Sequence, residues 1–453
     1  MKHPIKFFLV KKRTTVIGLI VLTGGMRANT QDTVQYLSLR QSCQLALEKN
    51  VNVQNAELEK QKTHFQFKEA QSKLYPQVEG YSSFNYYYAI PKMVIPGEIF
   101  GQTGPIPVEI GTKFDWSSGF KASQVLYNQS YFTSLKLAKQ MEILNILSLR
   151  QQREAIVYQV SQLYFLCQNT LKQAELLSGT LSNSERLLEI AKLQSENGII
   201  RKVDYSRVQV NKSNIQTQID NLNQLYAQQL GLLKYLIGLD TGNKIILSDT
   251  MIVKPVISIY EEIDFSKRPE ILLLDRQLEI NSLLRKGNRE AYLPSLSGFG
   301  QYYYQGQRNE FDFFKGGNDK FFKVGVVGIN LSVPIFNGFE KHAKTMQSDI
   351  EQMQLENTRS STKSFLSKEY TDAIRQYKSS LAAIERQQKN IEVAEETYNI
   401  SLQEYQQQVI SLSDLLLSES SLTEARLSYF NALLQLENAG LELKKAKGEL
   451  LNF

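Results

Sequence analysis

Cysteine, histidine and tryptophan are nearly absent from this 453-residue chain, which holds two, three and one of them. Cys43 and Cys167 stand far apart in helical patterns, so a disulfide scaffold and a Cys-x-x-Cys metal or redox motif are both excluded. The expectation is two buried free thiols. His3, His64 and His342 share no ligand spacing, so no metal site is expected. A GxSxG elbow, a P-loop and an HExxH motif are missing, and no clustered histidine can act as a base. Neither an enzyme nor a cofactor is expected. Long apolar runs are lacking too. The longest, residues 16–22, is far short of the ~18 residues that a membrane-spanning helix requires.

Proline is scarce and unevenly placed. Of ten prolines, none falls in 108–254 or 335–453. Proline costs ~3 kcal/mol inside a helix, so these tracts are where long helices can run.

The amino terminus has the three parts of an export signal over 1–28. Lys2, Lys6, Lys11, Lys12 and Arg13 precede an apolar core at 14–22, and Gly24, Gly25 and Ala28 follow. This reinterprets the net charge of +6. Residues 1–28 carry six basic and no acidic residues, and without them both counts are 46. The basic balance belongs to the signal and is no evidence for nucleic acid.

The remainder reads as a duplicated unit, 29–237 and 268–453, joined by an irregular linker at 238–267. Tyr75-Pro76 corresponds to Leu293-Pro294 and Asn50-Val51 to Arg268-Pro269, both at an offset of 218. Tyr127-Asn128 corresponds to Phe336-Asn337 at 209, and Val203-Asp204 to Ser413-Asp414 at 210. Each unit is expected to run helix, strand, loop, strand, very long helix, turn, return helix. The first helix opens at Ser38 with Gln41 three residues on, a capping-box spacing, and is expected to continue to about Lys73. Strands are expected at 75–89 and 114–127, with an external loop at 90–113, and again at 294–305 and 321–335. The long helices are expected at 130–196 and 340–407, each ~100 Å at 1.5 Å per residue, and the return helices at 202–236 and 412–447. Tyr370, Tyr377, Ile384, Ile391, Tyr398 and Tyr405 recur every seven residues, as do Val160, Cys167, Ala174, Leu181 and Leu188. A strict heptad predicts left-handed supercoiling.

The strands alternate. Val78, Gly80, Ser82, Phe84 and Tyr86 oppose Gln77, Glu79, Tyr81, Ser83 and Asn85, and Val327, Ile329 and Leu331 oppose Gly328, Asn330 and Ser332. Alternating segments of ~10 residues are the pattern of outer-membrane strands. Tyr86, Tyr87, Tyr88, Trp116, Tyr302 and Tyr304 are candidates for an aromatic belt at the lipid interface. Four strands cannot close a barrel, and an open edge is forbidden in lipid, so copies must associate. Two copies give a filled eight-stranded barrel; three give twelve strands and a lumen.

Taken together, Leu37-Ser38-Leu39-Arg40-Gln41, Arg268-Pro269-Glu270 and Val333-Pro334-Ile335-Phe336-Asn337-Gly338 resemble the TolC-like outer-membrane efflux channels over nearly the whole exported chain. The resemblance implies a mainly α protein with membrane β. Its form would be a homotrimer whose 12-stranded β-barrel, four strands per chain, continues into a long α-helical coiled-coil periplasmic tunnel. It implies outer-membrane lipid around the barrel, a periplasmic adaptor (membrane fusion) protein, an inner-membrane transporter, and passive export. The alternative is a soluble periplasmic coiled-coil structural or adaptor protein, which accounts for the heptads but not for the paired alternating strands.

The turns after the long helices are the candidate adaptor-docking tip: Asn197, Gly198 and Ile199 in the first, and Gln408, Val409 and Ile410 in the second. Asn-Gly suits a left-handed turn. Gln408 stands where glycine is usual, so that turn is expected to be either wider or strained. By the resemblance, Asp204 and Tyr405 occupy gate positions, and Ile410 stands in place of the gate arginine, leaving Arg201 or Lys202 as substitutes. Asp204 and Asp414 follow their turns by equal spacing, and three copies would bring six carboxylates to the entrance; the alternative role for each is an N-terminal helix charge. Tyr405 also continues the heptad series and can be core alone.

Overall fold

The computed structural model describes residues 34–101, 103–249, 264–315 and 321–451. The expected signal over 1–28 and residues 250–263 of the expected linker lie outside the described residues. In chain order the elements are β1 (Gln35–Leu37), α1 (Leu39–Lys49), α2 (Val51–Ser72), β2 (Gln77–Tyr86), β3 (Lys92–Pro96), β4 (Pro105–Glu109), β5 (Phe114–Tyr127), α3 (Gln129–Glu196), α4 (Lys202–Leu236), β6 (Ile245–Leu247), α5 (Pro269–Glu290), β7 (Ser295–Arg308), β8 (Phe322–Ser332), α6 (Glu340–Gln406) and α7 (Leu412–Lys447). No described helix is long and apolar enough to cross a membrane.

The opening helix differs from the sequence expectation. Ser38 and Gln41 do form a reciprocal capping box, but Asn50 adopts an extended backbone (ψ 128°) and divides the helix into α1 and α2. Its side chain accepts from the Asn52 amide at 2.9 Å, capping α2, and donates to the Leu236 carbonyl at 2.8 Å. The expected loop at 90–113 also differs: β3 and β4 pair there as a hairpin extending the β2–β5 ribbon. Its prolines, Pro96 opposite Pro105 and Pro107 opposite Val94, occupy a two-stranded ribbon, where edges tolerate a missing donor.

Three layers follow one another along the chain's long axis. At one end β2, β5, β7 and β8 form an antiparallel sheet in that lateral order, with β2 and β8 as edges. The adjoining helices keep the order, with α2 on α3, α3 on α5 and α5 on α6. Beyond the middle, α4 packs on α3, α3 on α7 and α7 on α6. At 68 and 67 residues, α3 and α6 are each ~100 Å long and run through both helical layers.

The main core sits in the middle. Leu37, Cys43, Ala46, Val157, Val160, Tyr164, Cys167, Leu233, Ile245 and Leu247 join β1, α1, α3, α4 and β6. Both cysteines are free and buried, and burial pushes the Cys43 thiol up to about 11 and Cys167 to about 12. Here β1 and β6 pair in parallel, a contact too short to leave a periodic trace in the sequence. Of the expected heptad stripes, Val160, Cys167 and Ala174 are buried on α3 and Tyr377 and Ile384 on α6, while Leu181 and Leu188 are half-buried; a second row on α3, Leu163, Thr170, Leu177, Ser184 and Ala191, is buried beside the first. The far end is a mixed cluster of Ala191, Val208, Leu412 and Leu415 with Tyr398, Leu402 and Tyr405, which fastens the two repeats together.

Candidate functional site at the distal turns and the sheet

Both distal turns are built alike. After α3, Gly198 is left-handed at φ 72°. Its amide donates to Ser195 O at 3.1 Å, and the Ile199 amide reaches back to Gln194 O at 2.8 Å. After α6, Gln408 is left-handed at φ 61°. Its amide donates to Tyr405 O at 3.0 Å, and Val409 donates to Glu404 O at 2.8 Å. This is the paired bonding of a Schellman turn, which satisfies orphan carbonyls at a helix end. The second turn is therefore no wider than the first; Gln408 carries the left-handed strain instead. Asn197, Gly198, Ile199, Gln408 and Val409 are exposed, and Ile410 is half-buried.

The two aspartates, equal in spacing, differ in surroundings. The Asp204 side chain is 12% exposed. Arg201 donates to it through Nε at 3.0 Å and Nη2 at 3.3 Å, and Arg207 Nη1 lies 3.7 Å away. Arg201 thus supplies the charge partner within one turn of the same chain. Sequence reading missed Arg207, although its i, i+3 spacing signals the pair with Asp204; it also donates to Ser413 Oγ across to the second repeat, a contact with no local signal. Asp414 is exposed and accepts from the Ser411 amide at 3.2 Å and hydroxyl at 2.7 Å, while the Ser411 hydroxyl accepts the Asp414 amide. It closes a capping box on α7, and that bond holds its carboxyl below the usual range.

Tyr405 combines both roles suggested by its sequence position. Its ring joins the distal cluster, and its hydroxyl donates to Gln194 Oε1 at 3.0 Å. Burial, reinforced by the Asp204 charge, raises its pKa. Farther up α7, Glu419 is 7% exposed, and burial alone raises its carboxyl. Its flanking Ser418, Ser420 and Ser421 gave no sequence signal for this.

The register sorts the sheet into two unlike faces. Phe84 pairs with Trp116, Gly80 with Phe120, Phe120 with Tyr302, and Gly300 with Val327. That face also holds Val78, Tyr86, Tyr304, Ile329 and Leu331. The other carries Glu79 bridged to Lys121 at 2.9 Å, and Asp115 accepting from Gln305 and Gln307 at 2.8 and 3.0 Å. Tyr86, Trp116, Tyr302 and Tyr304 lie on the apolar face. Tyr87 does not: its amide continues the ladder to Lys113 O, so alternation places it with Asn85 on the polar side. Tyr88 stands beyond the strand, 93% exposed. Aromatics from residues 309–315, which follow β7, fold over the same apolar end, with Phe313 5.5 Å and Phe314 5.6 Å from the Trp116 ring.

Among the described residues no group of three or more His, Cys, Asp or Glu is placed to hold a metal.

The family model described as "Outer membrane efflux protein" matches residues 43–239 and 284–449. Among solved structures, CusC, studied for folding and transmembrane channel formation, aligns at 19% identity with a TM-score of 0.73, over 91% of this chain and 93% of its own. The Campylobacter jejuni CmeC outer membrane channel aligns at 19% and 0.72, over 91% and 85%. The Vibrio cholerae outer membrane protein VceC aligns at 14% and 0.73, over 90% and 96%. No curated protein matches the sequence.

Proposed function

Because the chain belongs to the outer membrane efflux protein family, we propose that it acts as a homotrimeric, passive exit duct for a tripartite efflux or type I secretion system. The family places it in the outer membrane and makes it a TolC-like channel component rather than a soluble coiled-coil protein. The trimer, the gate and the identity of the partners are our reading.

One observation carries it. Each chain is an open wall with two unfinished edges, and the edges line up through all layers. The sheet ends in unpaired β2 and β8. Beneath them α2 and α6, then α4 and α6, are the lateral helices. Exposed apolar residues mark these edge helices: Val51, Leu58 and Phe65 on α2, Val203 and Val210 on α4, Met346 and Met353 on α6. Several are seven apart, the spacing that seats one helix on another. An unpaired strand edge is not tolerated in lipid, so β2 of one copy must meet β8 of the next. A head-to-tail contact of this kind closes into a ring when its rotation divides a full turn, and closure is what removes the last edge from lipid. Three copies supply twelve strands, with the polar face of Glu79, Lys121 and Asp115 inward and the apolar face outward.

The helices then continue the lumen as a tunnel of ~100 Å. Its far end is narrowed by the two Schellman turns, with Tyr405–Gln194 joining α6 to α3 and Arg207–Ser413 joining α4 to α7. The exposed residues of those turns are the docking surface for a periplasmic adaptor, which an inner-membrane transporter energises. Expression with the signal, separation of the two membranes and light scattering of the detergent-purified protein test this. The expected result is outer-membrane material with the mass of three chains. A protein that is soluble without detergent, as monomer or dimer, overturns it.

A further inference from the structure

The apolar face of the sheet is not evenly covered. Gly80, Ser82 and Ser118 form a floor of small residues that Phe120, Tyr302 and Tyr304 border, leaving a trough of about 560 Å³. The register puts all six side chains on the apolar side. A Cβ at Gly80 meets nothing closer than the Phe120 ring at 3.6 Å, so the space is open above the backbone. One end of the trough is closed. Trp116 donates to Ser82 Oγ at 3.0 Å, and Phe84 lies edge-on to Trp116 at 6.3 Å. Over this pair fold residues that follow β7: Phe311 lies 5.7 Å from Phe84, and Phe313 is buried against Trp116. Phe314, at the outer limit of the same stack, is 77% exposed. Phe311, Phe313 and Phe314 therefore lie on the apolar face, opposite the polar face that Asp115 and Lys121 occupy.

We infer that the trough is a binding site for one acyl chain of a membrane lipid, stopped at one end by the Trp116–Phe84 pair. The inference rests on the reading that this face meets lipid. The chemistry of the walls selects the occupant. Aromatic rings and glycine offer dispersion contacts and no charge, and the two floor hydroxyls are already bonded, Ser82 by Trp116 and Ser118 to Tyr81 O, so a hydrocarbon chain fits better than a peptide or polar solute. The hydroxyls of Tyr302 and Tyr304 border the trough and can bond the carbonyl of an ester-linked chain. In a bilayer an apolar concavity of this size is filled by lipid, since an empty one forfeits its contacts. The standing rings make it a site rather than a patch of wall, because the chain would lie on the small-residue floor beside Phe120, Tyr302 and Tyr304.

The chain has a single tryptophan, and it stands at the closed end of the trough. Trp116 fluorescence is thus a local reporter. The full-length protein, purified in detergent, is titrated with phospholipid brominated in its acyl chains. The expected result is quenching that saturates at one lipid per chain and is lost in Gly80→Leu and in Ser118→Leu, which fill the floor. Phe120→Ala, which widens the trough, is a second variant and retains saturable quenching. Displacement of the bromolipid by unlabelled phospholipid or by lipid A names the source of the chain. Quenching that rises in proportion to lipid and is equal in the filled variants overturns the site while leaving the lipid-facing assignment intact. Quenching by aqueous iodide but not by bromolipid in reconstituted vesicles overturns the facing itself, and with it the duct reading.

Discussion

Exchanging the residues at the two distal turns isolates a single conformational free energy. Gly198 and Gln408 occupy the same position of the same turn, at φ 72° and 61°. An L side chain in this region costs roughly 1–2 kcal/mol, from crowding of Cβ against the backbone. Glycine avoids that cost but loses more freedom on ordering, by roughly 0.5–1 kcal/mol. Gln408→Gly should therefore stabilise its turn by about 0.5–1 kcal/mol, and Gly198→Gln should destabilise the other by a similar amount. No neighbour complicates the second change, since nothing lies within 4 Å of a Cβ built on Gly198. Native-state hydrogen exchange reads the effect at two amides, Val409 and Ile199, each bonded across its turn at 2.8 Å. A change of about 1 kcal/mol alters protection about five-fold. Protection should rise at Val409 in Gln408→Gly and fall at Ile199 in Gly198→Gln, each leaving the other turn unaffected. Lower protection at Val409 in Gln408→Gly would show that the glutamine side chain supports the turn, and the strain argument would fail.

Asp204→Asn removes the acceptor for Arg201 and Arg207; with Arg201 largely exposed, the expected loss is about 1 kcal/mol, read as faster proteolysis at the first distal turn. Asp414→Asn weakens only the α7 capping box, so the Arg201 pairing and the first turn should be unchanged in the same assay. Glu419 is raised by burial, so the folded chain keeps this proton to higher pH than the unfolded chain does. The folded state is then favoured less as pH rises from the unfolded value through the folded one, and Glu419→Gln should flatten that slope in denaturant titrations between pH 4 and 8. Asn50→Ala removes the α2 cap and the bond to Leu236 O, with an expected cost of about 1–2 kcal/mol by thermal unfolding.

The sequence was most informative where a pattern repeats. Heptads at Tyr377 and Ile384, alternation at Phe84 and Tyr86, and the Ser38–Gln41 spacing are each local signals that packing then uses. Features that depend on distant partners were less legible. The pairing of β1 with β6 involves three residues on each side, too few to show a period. The β3–β4 hairpin hid behind its prolines, which read as a loop until the paired strand is seen to need few donors. Asn50 gives no sequence signal of a break, because the apolar period continues through it, and only its extended backbone reveals one. The environments of Asp204 and Asp414 could not be separated by spacing: one is enclosed by Arg201 and Arg207, whereas the other faces solvent beside Ser411. The apolar and polar sets of each strand were visible, but which strand's set joined which required the register.

The parallel pairing of β1 with β6 sets a timetable for maturation. Gln35 donates to Lys244 O at 2.9 Å and Ser248 to Leu37 O at 3.0 Å. The Leu39 amide, 210 residues away, donates to Asp249 at 2.7 Å, and the Tyr164 hydroxyl donates to Leu37 O at 2.9 Å. A chain that emerges amino end first must hold β1 unpaired until the 210 residues from Leu37 to Leu247 have followed. Closing so long a loop is slow relative to forming the helices on either side of it. During that interval Leu37, Cys43 and Ala46, all fully buried at the end, have no complete core to enter. This is the stage at which a holdase would bind and at which Cys43 would still react with a thiol reagent. Loss of that reactivity would clock the moment at which the middle of the molecule locks, ahead of any association between copies.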